Sequence, residues 1–67
     1  MIRRMIDPQK IKSMRESKGM TTRGLAKGAG ISTETIFAIE HGRRQPTVTT
    51  LDKIAKALDA DVRDFFS

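Results

Sequence analysis

The chain has no cysteine, no tryptophan and no tyrosine, one histidine and two prolines. Each scarcity excludes something. Without cysteine no disulfide can staple a small core, a composition that fits the reducing cytosol. Three phenylalanines are the only aromatics, too few to build a stacking platform for single strands or RNA loops. One histidine and no cysteine leave no metal cluster and no His-based relay with Cys. No run approaches the ~20 apolar residues of a membrane span. The opening MIRRMIDPQK has two arginines among scattered apolar residues, which is not a secretory signal. The expected setting is the bacterial or phage cytoplasm, with no membrane partner and no cofactor.

What is present is a short, basic chain. Sixty-seven residues allow one domain, with a core that must pack well to be stable. The net charge of +5 is unevenly spread: residues 1–46 carry ten Lys/Arg against four Asp/Glu, and residues 47–67 carry three against four. A positive first half favours a polyanion partner; the bland alternative is a solvated surface.

Helical punctuation recurs along the chain, and no strand or repeat pattern does. Asp7 is a cap, Pro8 suits the first helical position, and Ile6 can staple onto Ile11. Ile11, Met14 and Lys18 then share a stripe with Arg15 beside it, and Gly19 ends helix one. Residues 1–7 read as an arm and 8–67 as the domain. Thr21 caps helix two over 22–29, whose Gly24 and Gly28 each cost about 1 kcal/mol relative to Ala. Either tertiary packing offsets that cost, or a close helix–helix approach demands small residues. Gly30 supplies a turn with positive φ, and Ser32 caps helix three over 33–41, which Gly42 ends. Thr47 opens helix four, where Val48, Leu51, Ile54, Ala55 and Leu58 give an apolar stripe. Asp59 follows in a left-handed position, and Asp61 caps a last short helix whose Val62 and Phe65 or Phe66 close the core. The expected fold is all-α, with five short helices.

Residues 20–46 hold the most specific signal. Two short helices meet at a glycine turn, Ile31, Ile36 and Ile39 mark a buried edge, and a basic loop follows. Such a second helix has a polar outer edge suited to the major groove of DNA. The pattern Arg15, Leu25-Ala26, Gly30-Ile31-Ser32, Ile36, Ile39-Glu40, Gly42, Pro46, Leu51, Ile54-Ala55, Ala57-Leu58 resembles the phage repressor/Cro-type (XRE-like) helix-turn-helix family. The likeness covers about residues 8–66. It implies a compact five-helix, lambda-repressor-like domain that binds double-stranded DNA, commonly as a homodimer on a palindromic operator. It also implies a largely buried ion pair between Arg15 and Glu40, tying helix one to the recognition helix. Without it, Glu40 opposes the helix dipole.

If helix three enters the major groove, Thr33, Glu34, Phe37 and Ala38 are the candidate base contacts. Thr33 offers a hydroxyl or methyl, Glu34 accepts from the cytosine amino group, and Phe37 or Ala38 packs on a thymine methyl. Competing readings make Glu34 a dipole residue and Phe37 a core-edge or subunit contact. The face lacks Gln, Asn, Arg and Lys, and helix two opens with Thr22 where the family often has Gln. Phosphate contacts fall to Thr22, Arg23, Thr35, Arg43 and Arg44, with Lys27 beside them and Arg3 and Arg4 in the arm.

No catalytic constellation is present. The glycines at 24, 28 and 30 match neither a phosphate loop nor a dinucleotide fingerprint, and His41 suits a helix C-terminus as it stands. An enzyme is not expected, nor a small-molecule ligand. The rival expectation is a small helical antitoxin or restriction-control protein whose main role is to bind a protein partner. For the DNA-binding reading, regulation by occupancy of the operator is expected, repression being the simplest form. Phe65 or Phe66 is the expected dimer contact.

Overall fold

In the computed structural model, residues 6–66 are described. Four α-helices follow in order: α1 (Pro8–Ser17), α2 (Thr22–Ala29), α3 (Thr33–Glu40) and α4 (Val48–Leu58). The fifth expected helix is a 3-10 helix, Val62–Phe65. A segment this short commonly takes the tighter 3-10 coil, and here a reciprocal cap starts it. Asp61 Oδ1 accepts the Arg63 N–H at 2.9 Å, while Asp64 Oδ2 accepts the Asp61 N–H at 3.2 Å.

Side-chain caps start the α-helices. Asp7, Thr21, Ser32 and Thr47 accept the N–H groups of Gln9, Gly24, Thr35 and Thr50, satisfying donors that have no intrahelical partner. α4 ends on Asp59 at φ 54, a conformation that Asp tolerates better than most residues.

The core is one cluster drawn from every helix: Ile11, Leu25, Ala26, Ala29, Ile36, Ile39, Leu51, Ile54, Ala55, Leu58 and Phe65. Three expectations need correction. Ile31 is only half-buried at the edge of this cluster. Lys18 is the exposed C-cap of α1, so that helix buries Ile11 and Arg15 instead. Val48, expected in the α4 stripe, is 81% exposed. It is the first residue of α4, and the covered stripe starts one turn later at Leu51.

The adjacent phenylalanines diverge. Phe65 is fully buried, whereas Phe66 is half-buried and its backbone pairs with Ile6 in an isolated antiparallel bridge. The Asp7 N–H also donates to the Phe65 carbonyl at 2.7 Å. Ile6 and Asp7 are thus fastened to the C-terminal segment; Arg3 and Arg4 lie outside the described residues.

Gly28 lies where α2 meets α4. A methyl built there would sit 3.6 Å from the Ala57 side chain, an ordinary contact, so the approach does not require glycine. At Gly24 an added methyl would come within 3.2 Å of the capping Thr21 hydroxyl.

Candidate nucleic-acid interface

The turn between α2 and α3 sets the site. Gly30 has φ +71, open to glycine without the steric cost a side chain brings. That turn lets the Ile31 N–H reach the Ala26 carbonyl at 3.0 Å and the Gly30 N–H reach that of Lys27 at 3.2 Å, closing α2. Ser32 then caps α3, whose inner edge, Ile36 and Ile39, is 0% and 1% exposed.

The opposite face of α3 is open. Thr33 and Glu34 are exposed in its first turn, Phe37 is 46% exposed and Ala38 is half-buried. His41, the exposed C-cap, falls on this same face, since Glu34, Ala38 and His41 follow i, i+4, i+7 spacing. The sequence reading missed it; continuing that spacing past Ala38 would have found it. Thr35 stands apart: it is half-buried and its hydroxyl lies 2.7 Å from the Ser32 hydroxyl within the cap.

Arg15 and Glu40 hold the far end of α3. Arg15 Nε donates to Glu40 Oε2 at 2.7 Å and Nη2 to Oε1 at 3.1 Å, a two-pronged pair with side chains 9% and 3% exposed. Arg15 Nη1 also donates to the Met20 carbonyl at 2.7 Å. The hydrogen bonds to Glu40 hold the Arg15 guanidinium above its ordinary pKa, against the opposing effect of burial.

The basic residues surround α3 in sequence and are exposed: Arg23 and Lys27 on α2, Arg43 and Arg44 after α3. Gly42, at φ +71, turns the chain so that the Arg43 N–H reaches the Ala38 carbonyl at 2.8 Å. Arg44 borders a groove of about 260 Å³ with Ile6, Pro8, Ile39 and Pro46. Thr22, half-buried, opens α2, and its N–H and that of Arg23 belong to the first turn, whose N–H groups have no partner within the helix. Among the described residues, ion pairs join Arg15 to Glu40 and Glu16, Lys56 to Asp52, and Arg63 to Asp61. Arg23, Lys27, Arg43 and Arg44 have no carboxylate partner there.

A helix-turn-helix family profile matches residues 11–65. The chain belongs to the helix-turn-helix family. Its members of the XRE type are DNA-binding transcriptional regulators, and α2, the Gly30 turn and α3 form the motif here. An uncharacterised HTH-type transcriptional regulator of Methanocaldococcus jannaschii is 39% identical over 57 residues, 85% of this chain and 86% of that protein. One from Archaeoglobus fulgidus is 37% identical over 57 residues, covering 85% and 81%. Among solved structures, the restriction-modification controller protein C.AhdI from Aeromonas hydrophila superimposes with a TM-score of 0.86 at 29% identity, covering 88% of this chain and 89% of that one. SinR of Bacillus subtilis, a master regulator for biofilm formation solved in complex with DNA, gives 0.80 at 32% identity, covering 84% and 90%. No helix among the described residues is long and apolar enough to cross a membrane. Nor do three His, Cys, Asp or Glu side chains gather there as a metal site would need.

Proposed function

We propose that this helix-turn-helix protein is a cytoplasmic, sequence-specific regulator that binds double-stranded DNA as a homodimer, with α3 in the major groove, and represses by occupying a palindromic operator. The observation that carries this reading is the open face of α3 followed by arginines that pair with no carboxylate among the described residues. Thr33, Glu34, Phe37 and Ala38 supply base contacts. Thr22, Arg23, Arg43 and Arg44 grip phosphate, with Lys27 beside them. Thr35 can donate to phosphate without leaving its contact with Ser32, provided that the Ser32 hydroxyl is the donor in that contact. In the dimer the two copies of α3 stand about 34–36 Å apart, one turn of DNA. Of the two adjacent phenylalanines, Phe66, partly exposed, is the one available to the subunit contact, because Phe65 is buried within its own core.

Selection of bound duplexes from random DNA tests the proposal. A palindromic consensus with half-sites one helical turn apart is the expected result; no enrichment above the starting pool would overturn it. The second reading is a small controller whose main role is to bind a protein. It draws on the likeness to the restriction-modification controller C.AhdI, and to SinR, which has also been solved in complex with SinI. DNA binding by the isolated chain, steeply weakened by salt, separates the two.

A further inference from the structure

The Phe37 and His41 rings stack at a centroid distance of 3.9 Å with 26° between their planes. The same pair is joined through the backbone. The Phe37 carbonyl accepts the backbone N–H of His41 at 3.0 Å, and His41 Nδ1 lies 2.9 Å from that oxygen. A carbonyl only accepts, so Nδ1 must carry the proton in this contact, leaving Nε2 as the outward ring nitrogen. The imidazole is therefore held by one edge against the last turn of α3 and lies flat against the phenyl ring.

A phenylalanine that is 46% exposed on a helix surface has few packing neighbours to select its rotamer. Here one neighbour does so. Stacking confines the phenyl ring on one side, and the imidazole is itself confined by its hydrogen bond to the Phe37 carbonyl. An apolar group that must meet a single methyl gains most when its rotamer is settled before binding, because less side-chain entropy is lost in the complex.

We propose that His41 is a positioning residue for base recognition: it holds Phe37 in the orientation that packs on a thymine methyl. The inference rests on the reading that α3 lies in the major groove. His41 sits at the C-terminal end of α3 and acts through Phe37, with no base contact of its own. The imidazole–phenyl stack thus gives this recognition face, which has no Gln, Asn, Arg or Lys among its base-contact candidates, an apolar element with a defined direction.

The test uses the full chain and the duplex it selects from random DNA, with thymines replaced one at a time by uracil, which removes only the methyl group. For the wild type, one thymine per half-site is expected to show about a fourfold loss on replacement, the value of burying one methyl. Phe37→Ala should abolish that discrimination. His41→Ala should reduce it to less than about twofold while the thermal melt stays near that of wild type. His41→Phe keeps a ring to stack and should retain the discrimination. His41→Asn keeps a donor for the carbonyl but has no ring, and should lose it.

If a duplex is selected but no uracil substitution weakens binding, the thymine contact is wrong while the DNA-binding reading stands. If Phe37→Ala abolishes discrimination and His41→Ala leaves it intact, the positioning role is wrong. If no duplex is selected, the reading beneath the inference fails, and the inference fails with it.

Discussion

Arg15 grips both carboxylate oxygens of Glu40, at 2.7 and 3.1 Å, while its third nitrogen holds the Met20 carbonyl at 2.7 Å. One guanidinium thereby joins α1, the turn that leads into α2, and the last residue of α3. A lysine, with one nitrogen, cannot reproduce this fork.

Glu40→Ala should therefore be severely destabilising. Removing one partner of a buried pair typically costs about 3–5 kcal/mol, because the other charge stays buried and unpaired. A chain of 67 residues has a total stability of about 3–10 kcal/mol. The variant should melt far below wild type or be unfolded at room temperature by circular dichroism. A melting temperature unchanged from wild type would show that the pair contributes nothing net.

Arg43→Ala should weaken binding to every duplex by a similar factor. Its guanidinium has no carboxylate partner among the described residues and carries no base information. The plot of log affinity against log salt should flatten by about one unit of slope. Fluorescence anisotropy at several salt concentrations reads both quantities, and retention of both removes Arg43 from the interface.

Gly28→Ala should stabilise the domain by up to about 1 kcal/mol. The new methyl meets the Ala57 side chain at 3.6 Å, a normal contact, and φ at Gly28 is not positive. Gly24→Ala should gain less or lose, since its methyl crowds the Thr21 hydroxyl at 3.2 Å. Urea denaturation of the two variants gives the comparison. Equal gains at both sites would mean that the Thr21 cap yields freely.

Asp61→Asn isolates a charge effect. Asn can still cap, so the 3-10 helix keeps its start. In the wild type, the Arg63 backbone N–H and then its guanidinium hold the Asp61 carboxyl below the usual carboxylate range. A lowered folded pKa contributes stability that is present above the unfolded value and lost as pH falls through the folded one. The wild type should therefore melt above the variant at neutral pH, and the gap should close as the pH is taken below the ordinary Asp range. A gap independent of pH would exclude the charge as its cause.

The helix starts were legible because capping is local. Asp7, Thr21, Ser32 and Thr47 each act within three residues of their own position. The Arg15–Glu40 pair was reachable only through family resemblance, since the partners are 25 residues apart and no periodicity links them. Val48 misled because an i, i+3 pattern gives the phase of a stripe and not the extent to which a neighbouring helix covers it. The stack of His41 on Phe37 is not legible in the sequence, because a histidine at a helix C-terminus is already accounted for by the helix dipole.

The sequence by itself determined the four α-helices, the turn at Gly30 and the face of α3 that is buried, because these follow from backbone preferences and apolar spacing within one or two turns. Only the tertiary structure decided which phenylalanine enters the core. The Ile6–Phe66 bridge and the bond from Asp7 to the Phe65 carbonyl fix the C-terminal segment against the start of α1. Phe65 then points inward and is fully buried, while Phe66 remains at the edge. Neighbours in an extended or 3-10 segment cannot share one direction, and which of them turns inward is set by contacts made across the whole chain.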